Sequence, residues 1–434
     1  MTKKYFKGQF EKDLNILSTF QATFSDTPLD ELDRLQFQKM QSIFFIGQLV
    51  GLPTLQSILT KFGIQSNNLQ TKYKKLCNKR SINKIRKMFE YIFEQQISEQ
   101  LVSMNEKDSS IWSKNLVTLV LDDSIFKQWL KKKCEDIGFE DYFGCFFSGQ
   151  YKAAVYGFKV LTLALSIDGV LYPLYFEFVK KKQKDSSDNK KGAKSASTES
   201  EAIKSAIKLI NKWGAFSANL AQKGTCLPIL HLSCDSGYSH KKLAEVCSQR
   251  QLTYISVPKK SHCFAFTEGK INLTTWIDTV FLQAEKKHQE KEKELSNEEK
   301  TPFVLRQRAK YLSQDQEVTL LAFRLQGSGK VSVIYSTNNH IFAKTLRRHW
   351  FQRTYIEQFF KILKHVLQIS EPRVGTKDAF ENKLLTFAFI ALQAQKLVKF
   401  LRRKIKGFAH KGFISLQRIL NSESEFLDLL QNYV

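Results

Sequence analysis

The sequence predicts an α/β protein: a mixed sheet with flanking helices, interrupted by a mostly β segment and preceded by a helical region. Three observations predict it. Short apolar, β-prone runs alternate with helix-period segments between about residues 116 and 257. Hairpin-like sequence then replaces that alternation up to about residue 340, and helical sequence resumes near Ala343. Residues 1 to about 110 repeat apolar side chains at helical spacing.

In chain order, Leu29–Leu52 has helical spacing and ends at the breaker Gly51-Leu52-Pro53. Leu55–Lys61, the turn Phe62-Gly63-Ile64 and Asn68–Leu76 give a helix-turn-helix outline. Lys72, Lys74, Lys75, Lys79 and Arg80 flank it, which makes this region a candidate DNA-binding element. The alternative is a basic bundle that only packs. Leu116–Leu121 is apolar on both faces and reads as a buried central strand, ending at Asp122-Asp123-Ser124. Helix or loop is expected from there to Gln150. Phe158–Ile167 and Val170–Val179 are strands joined by the hairpin turn Asp168-Gly169.

Lys180–Lys194 is a lysine-rich loop, and Thr198-Glu199-Ser200-Glu201 starts a helix running to Trp213. Pro228–Cys234 is a strand ending in Asp235, His240–Gln249 a helix, and Leu252–Val257 a strand. The charged run Glu285–Lys300 reads as solvated, and Glu317–Leu325 with Lys330–Ser336 as a hairpin. Helices are expected from Ala343 and from Asp378 to about Leu401, then a basic patch, Lys399–Lys406, and a short tail. The resulting domains are 1–110 helical, 111–257 and 341–402 the two parts of an α/β core, 258–340 a mostly β insertion, and 403–434 a basic tail.

The chain has 434 residues, 42% hydrophobic and 25% charged, enough for sizeable cores. Its formal net charge of +25 favours a polyanionic partner, most often nucleic acid. No stretch reaches the ~18 uninterrupted apolar residues of a membrane span. The N-terminus, Met1-Thr2-Lys3-Lys4, lacks the apolar core of a signal peptide. The expectation is a soluble, cytoplasmic, DNA-associated protein with no membrane partner. The seven cysteines form no Cys-x-x-Cys pair and the eight histidines no His-x-x-x-His pair. Neither a disulfide scaffold nor a zinc site follows. A metal here would be held by carboxylates, which points to magnesium, with manganese as the substitute.

Four acidic positions stand out by context. Asp122 and Asp123 close the first core strand, Asp235 closes the fourth, and Glu357 lies on a late helix. At 100° per residue, Trp350, Arg353, Glu357, Lys361 and Lys364 fall within an arc of about 80° beside an apolar stripe of Ile356, Phe359, Phe360, Leu363 and Leu367. Alone, Arg353–Glu357–Lys361 is an ordinary i, i+4 charge ladder. In a ribonuclease-H-like sheet, however, the first and fourth strands lie side by side and parallel. Carboxylates at their ends and one from a packed helix then converge, and such a set holds two magnesium ions.

With these residues the chain resembles the DDE transposases of bacterial insertion sequences, in the group marked by Tyr-x-x-Arg-x-x-x-Glu-x-x-x-x-x-x-Lys. Here the motif runs Trp350, Arg353, Glu357, Lys364, with Trp in place of Tyr. Tyr335-Ser336-Thr337-Asn338 before a helix and Cys234-Asp235-Ser236-Gly237-Tyr238 are also similar to that family. The resemblance spans about residues 115–370. It implies that Asp123, Asp235 and Glu357 are the catalytic acids and the ligands of two magnesium ions. Asp123 is favoured over Asp122 because the family acid usually precedes a small hydroxyl or glycine.

The resemblance further implies that Arg353, Lys361, Lys364 and Trp350 contact DNA, that the partners are double-stranded transposon ends and target, and that a homodimer forms a synaptic complex. Trp350 lacks the hydroxyl the family uses, so base stacking is its alternative contact. Trp276, in the insertion, is either a core aromatic or a holder of a flipped base. Ser124 and Cys234 lack a neighbouring histidine and read as packing residues, not nucleophiles. Two rival functions remain: a related magnesium nuclease without strand transfer, and an inactive DNA-binding descendant.

Overall fold

The computed structural model describes residues 79–106, 117–127, 141–148, 152–180, 200–225, 230–267, 269–292, 302–325, 328–369 and 377–404. The helix-turn-helix outline, the Lys180–Lys194 loop beyond residue 180, and the tail after residue 404 lie outside them.

Chain order begins with helix α1 (Lys79–Glu106), then strands β1 (Val117–Lys127), β2 (Phe143–Ser148), β3 (Ala153–Ile167) and β4 (Val170–Phe178). Helix α2 (Glu201–Gln222), β5 (His231–Cys234), helix α3 (Lys241–Gln249) and β6 (Thr253–Ser256) follow. Next come β7 (Cys263–Phe266), β8 (Gly269–Asn272), and helices α4 (Leu273–Trp276) and α5 (Leu282–Glu292), joined by a π-helical turn, Ile277–Phe281. The series closes with β9 (Val304–Tyr311), β10 (Gln316–Arg324), β11 (Val331–Ser336), α6 (Ala343–Phe351), α7 (Arg353–Lys361) and α8 (Lys377–Lys404).

All these strands join one mixed sheet. Its order is β2-β3-β1-β5-β6-β11-β10-β9-β7-β8, with β4 also on β3. Within it β4-β3-β1-β5-β6 are successive neighbours, and β1 and β5, the first and fourth expected core strands, are adjacent and parallel as expected of a ribonuclease-H-like sheet. The sheet does not stop at five strands. Tyr335 and Ser336 of β11 pair antiparallel with Ser256 and Ile255 of β6, so the strands after residue 258 continue the same sheet.

Two strands differ from expectation. β1 does not end at Asp122 but runs on to Lys127, in unbroken antiparallel register with β3. Acidic residues are disfavoured in strands; here each carboxylate finds a distant partner that offsets the cost. β2 was expected as helix or loop. Its Phe143, Cys145 and Phe147 alternate along one face, the strand period.

Local chemistry explains the remaining turns. Asp168 and Gly169 both have positive φ, +49° and +78°, as the tight turn between β3 and β4 requires. Pro173 sits in β4 at a register shift opposite Ala164, on a strand that among the described residues pairs with β3 alone, where a missing N–H costs least. The side chain of Ser200 caps α2 by accepting from the Ile203 N–H. The helix then buries Ile203, Ala206, Leu209, Ile210, Trp213 and Phe216 at helical spacing.

The core is dense in phenylalanine. Phe126 of β1 meets Phe360 of α7 and Phe380 of α8, and Phe158 of β3 stacks on Phe380 at 4.8 Å. α8 is buried almost all round, including Glu381, Asn382 and Lys383. Arg86 of α1 satisfies Glu381 with both Nε and Nη2, and Lys377 adds a third contact at 3.2 Å. α1 therefore packs as part of the core, against α8 and β4. No helix among the described residues is long and apolar enough to cross a membrane.

Candidate active site

β1 lies along α6 and α7 at four-residue intervals. Thr118 Oγ1 is 2.7 Å from His349 Nδ1, Asp122 Oδ2 accepts from Arg353 Nη1 at 3.1 Å, and Phe126 packs on Phe360. Alternation along a strand puts Thr118, Asp122 and Phe126 on one face. On the neighbouring parallel strand, Leu121 is level with Cys234, so Asp122 and Asp235 occupy the next rung. Asp235 directly follows β5 and caps the short 3-10 turn Ser236–Tyr238, accepting from the Ser236 N–H at 2.7 Å.

Asp123 points from the alternate position. Its Oδ2 accepts from the Tyr238 hydroxyl and lies 3.1 Å from Lys159 Nζ. The Tyr238 carbonyl accepts in turn from the Tyr254 hydroxyl. Ser239 is 2.9 Å from the Tyr335 hydroxyl, so the loop after Asp235 is fastened to β11. Tyr238 was visible in the sequence as part of Cys234-Asp235-Ser236-Gly237-Tyr238. Lys159 was missed, although a lone lysine between Phe158 and Val160 in an apolar strand is itself a signal.

The expected continuous helix from Ala343 is interrupted. α6 stops at Phe351, Gln352 intervenes, and α7 starts at Arg353 and passes into a π-helical turn at Ile362–Val366. Thr354 Oγ1 takes the Phe351 carbonyl at 2.7 Å, which competes with the helix ladder at this joint. Trp350 and Arg353 nevertheless stay together, with the guanidinium 4.9 Å from the indole ring centre. The Trp350 Nε1 and Arg353 Nε atoms are buried and have no hydrogen-bond partner among the described residues.

Arg353 is the hub of the acidic cluster. Its Nη2 is 2.8 Å from Glu357 Oε1, while its Nη1 holds Asp122. Burial pushes the Asp122 carboxyl up to about 7; Arg353 pulls it down, and Asp123 and Asp235 raise it further. Lys364 lies over the Phe126 ring at 5.4 Å, and burial lowers its ammonium to about 8 against the pull of Asp123 and Asp122. Lys361 is exposed.

The donor chemistry suits a hard divalent cation: carboxylate oxygens, mutually repelling, one of them held near neutrality. The arrangement is less complete. Among the described residues, no group of three or more His, Cys, Asp or Glu side chains is gathered to hold a metal. Asp122, Asp123 and Asp235 are electrostatic neighbours, but Glu357 is turned to Arg353.

Three other residues are placed as packing groups. Trp276 is fully buried, stacks parallel to Phe266 at 6.0 Å and donates Nε1–H to Gln307 Oε1 at 2.9 Å. Cys234 is buried, and its thiol is pushed up to about 12 by burial, unsuited to nucleophilic work at neutral pH. Ser124 is also buried.

Compared with known families, residues 211–393 match the model of the transposase DDE domain. That stretch covers less than half of the chain. It contains Asp235 and the whole Trp350–Lys364 segment and begins after β1. No curated protein matches the chain.

Proposed function

We propose that this chain, with its match to the transposase DDE domain over residues 211–393, is a DNA transposase with a ribonuclease-H-like core. It binds the terminal repeats of its element, cuts there, and joins the freed 3′-hydroxyl to target DNA. The observation that carries the reading is the meeting of three elements. Acidic β1 and β5 lie parallel and adjacent, and α7 brings Glu357 and Arg353 against β1.

In this reading Asp123, Asp235 and Glu357 hold the divalent cations, magnesium by preference. Bound cations supply charge stabilisation to a phosphodiester in displacement and lower the pKa of an attacking water or hydroxyl. The protein groups do the rest. Tyr238 and Lys159 fix the Asp123 carboxylate. Arg353 and Lys364 present positive charge to backbone phosphates, Arg353 with a planar fork and Lys364 from a half-buried position. Lys361 adds a solvated charge, and Trp350 offers an aromatic face beside Arg353. The net charge of +25 makes DNA affinity fall steeply with salt. Two copies in a synaptic dimer, each cutting one end, complete the reading.

The test is cleavage and joining of a duplex carrying the DNA that flanks the gene, in magnesium, by wild type and Glu357→Ala. The expected result is cut and joined products for wild type and neither for the variant, with DNA binding retained. Equal cutting by both proteins would remove Glu357 from the site. Cutting without joined products would favour the nuclease reading.

A further inference from the structure

Arg353 and Glu357 lie on α7, a nine-residue segment set off by Gln352 on one side and the π-helical turn Ile362–Val366 on the other. π-helical turns often mark functional adjustment points. On this segment one guanidinium serves two carboxylates, at 3.1 Å to Asp122 and 2.8 Å to Glu357. The two contacts are unequal. The Asp122 and Arg353 side chains are each 14% exposed, whereas Glu357 is 44% exposed. A half-exposed i, i+4 bridge is weak and readily exchanged, while a buried, charge-assisted contact is not. The third nitrogen of the guanidinium, Nε, and the neighbouring Trp350 N–H are both buried without an acceptor among the described residues. Two unmet donors side by side suit an anionic oxygen, and nearby Lys364 adds charge of the same sign.

We infer that Arg353 is the internal counter-ion of the acidic cluster in the DNA-free chain. A backbone phosphate takes the guanidinium over, and Glu357 is released to join the aspartates around a divalent cation. Asp122, on the face of β1 that α7 covers, anchors Arg353 beside the phosphate path. This rests on the transposase reading above. It explains why Glu357 pairs with a cation of its own helix and why no three acids are gathered among the described residues. It also makes DNA binding and cation binding reciprocal: each strengthens the other by the same factor.

The experiment is Mn²⁺ titration followed by electron paramagnetic resonance, on the full chain without DNA. Wild type, Arg353→Gln and the double variant Arg353→Gln/Glu357→Gln are compared. Arg353→Gln is expected to bind Mn²⁺ about tenfold tighter than wild type, within the usual range for coupled sites, and the double variant to lose the gain. A short random-sequence duplex then raises the Mn²⁺ affinity of wild type but not of Arg353→Gln. Arg353→Lys, which keeps the charge and loses the fork, falls between them and covers the case in which the glutamine variant fails to fold. Equal or weaker binding by both Arg353 variants overturns the inference. If wild type binds Mn²⁺ tightly through Glu357 without DNA, the inference falls and the transposase reading stands. If no protein binds Mn²⁺ with or without the duplex, both fall.

Discussion

The imidazole rings of His231 and His349 pack against each other, tilted by 38°, with centroids 3.9 Å apart, joining β5 to α6. Burial lowers His231 to about 4. Burial, then the charge of its neighbour His231, lowers His349 to about 3. Both rings are therefore neutral in the folded chain. In the unfolded chain they titrate near ~6.5. Between those values the unfolded state binds more protons, so the stability they confer is complete above about pH 6.5 and is lost as pH falls toward 4. The slope is about 1.4 kcal/mol per pH unit for each ring. Asp122, raised to about 7, acts in the opposite sense, so the comparison must be with a variant. His349→Gln retains a hydrogen-bonding group for Thr118 and should flatten the loss between pH 6.5 and 4.5. Denaturant titrations at those two pH values check it; an unchanged difference would clear the histidines.

Lys364 is expected to react early with amine reagents. Its ammonium, lowered to about 8 by burial, is partly neutral at pH 8 where surface lysines, near ~10.4, remain charged. Competitive acylation at pH 8, read by peptide mass spectrometry, should mark Lys364 well above Lys361, which is more exposed. Raising pH through 8 removes the charge of Lys364, so its contribution to DNA affinity should fade there first. Preferential labelling of Lys361 would contradict this.

Trp276→Ala should cost about 3–5 kcal/mol, the usual range for emptying a large buried aromatic site. Trp276→Phe should cost less, because the ring stack on Phe266 survives and only the Gln307 bond goes. DNA cleavage by the phenylalanine variant should match wild type. A selective loss of cleavage with unchanged stability would restore a base-holding role to this residue.

Gly157→Ala should disrupt the pairing of β3 with β1. A Cβ there would lie 2.1 Å from the Phe126 carbonyl oxygen, a contact with backbone that no rotamer relieves. The strand end must separate, at about 1–3 kcal/mol or more. Faster amide exchange at Phe126 and Lys127 than at Leu119 and Val120 is the expected signature. Uniform exchange along β1 would show that the clash is absorbed elsewhere.

The parallel pairing of β1 with β5 was expected only from the ribonuclease-H-like arrangement, whereas the α/β series was legible in the sequence, because apolar runs and turn residues are local signals. Asp235 was placed correctly at the end of its strand for the same reason. What could not be read was anything set by a partner far along the chain. β1 was cut short at Asp122 because nothing local shows that Arg353 will receive its charge. The halves of the α6–α7 joint look like one helix, since a single residue, Gln352, with near-helical φ and ψ separates them. The extension of the sheet through β11 depends on two paired residues, Tyr335 and Ser336, that carry no local mark of their partner. Trp276 illustrates the opposite limit: its type suggested two roles, and only burial decides between them.

The Asp122–Arg353 contact closes a span of 231 residues. Such a contact is among the last to form, since loop closure must precede any gain from it. Synthesis proceeds from the N-terminus, so Asp122 leaves the ribosome long before its guanidinium partner exists. A chain released before α7 has Lys159 for Asp123 but leaves Asp122 without the guanidinium that offsets its charge within the strand. Completion of the acidic cluster and completion of β1 are thus one event. The charge that would assist cleavage also reports that the polypeptide has been made through to α7.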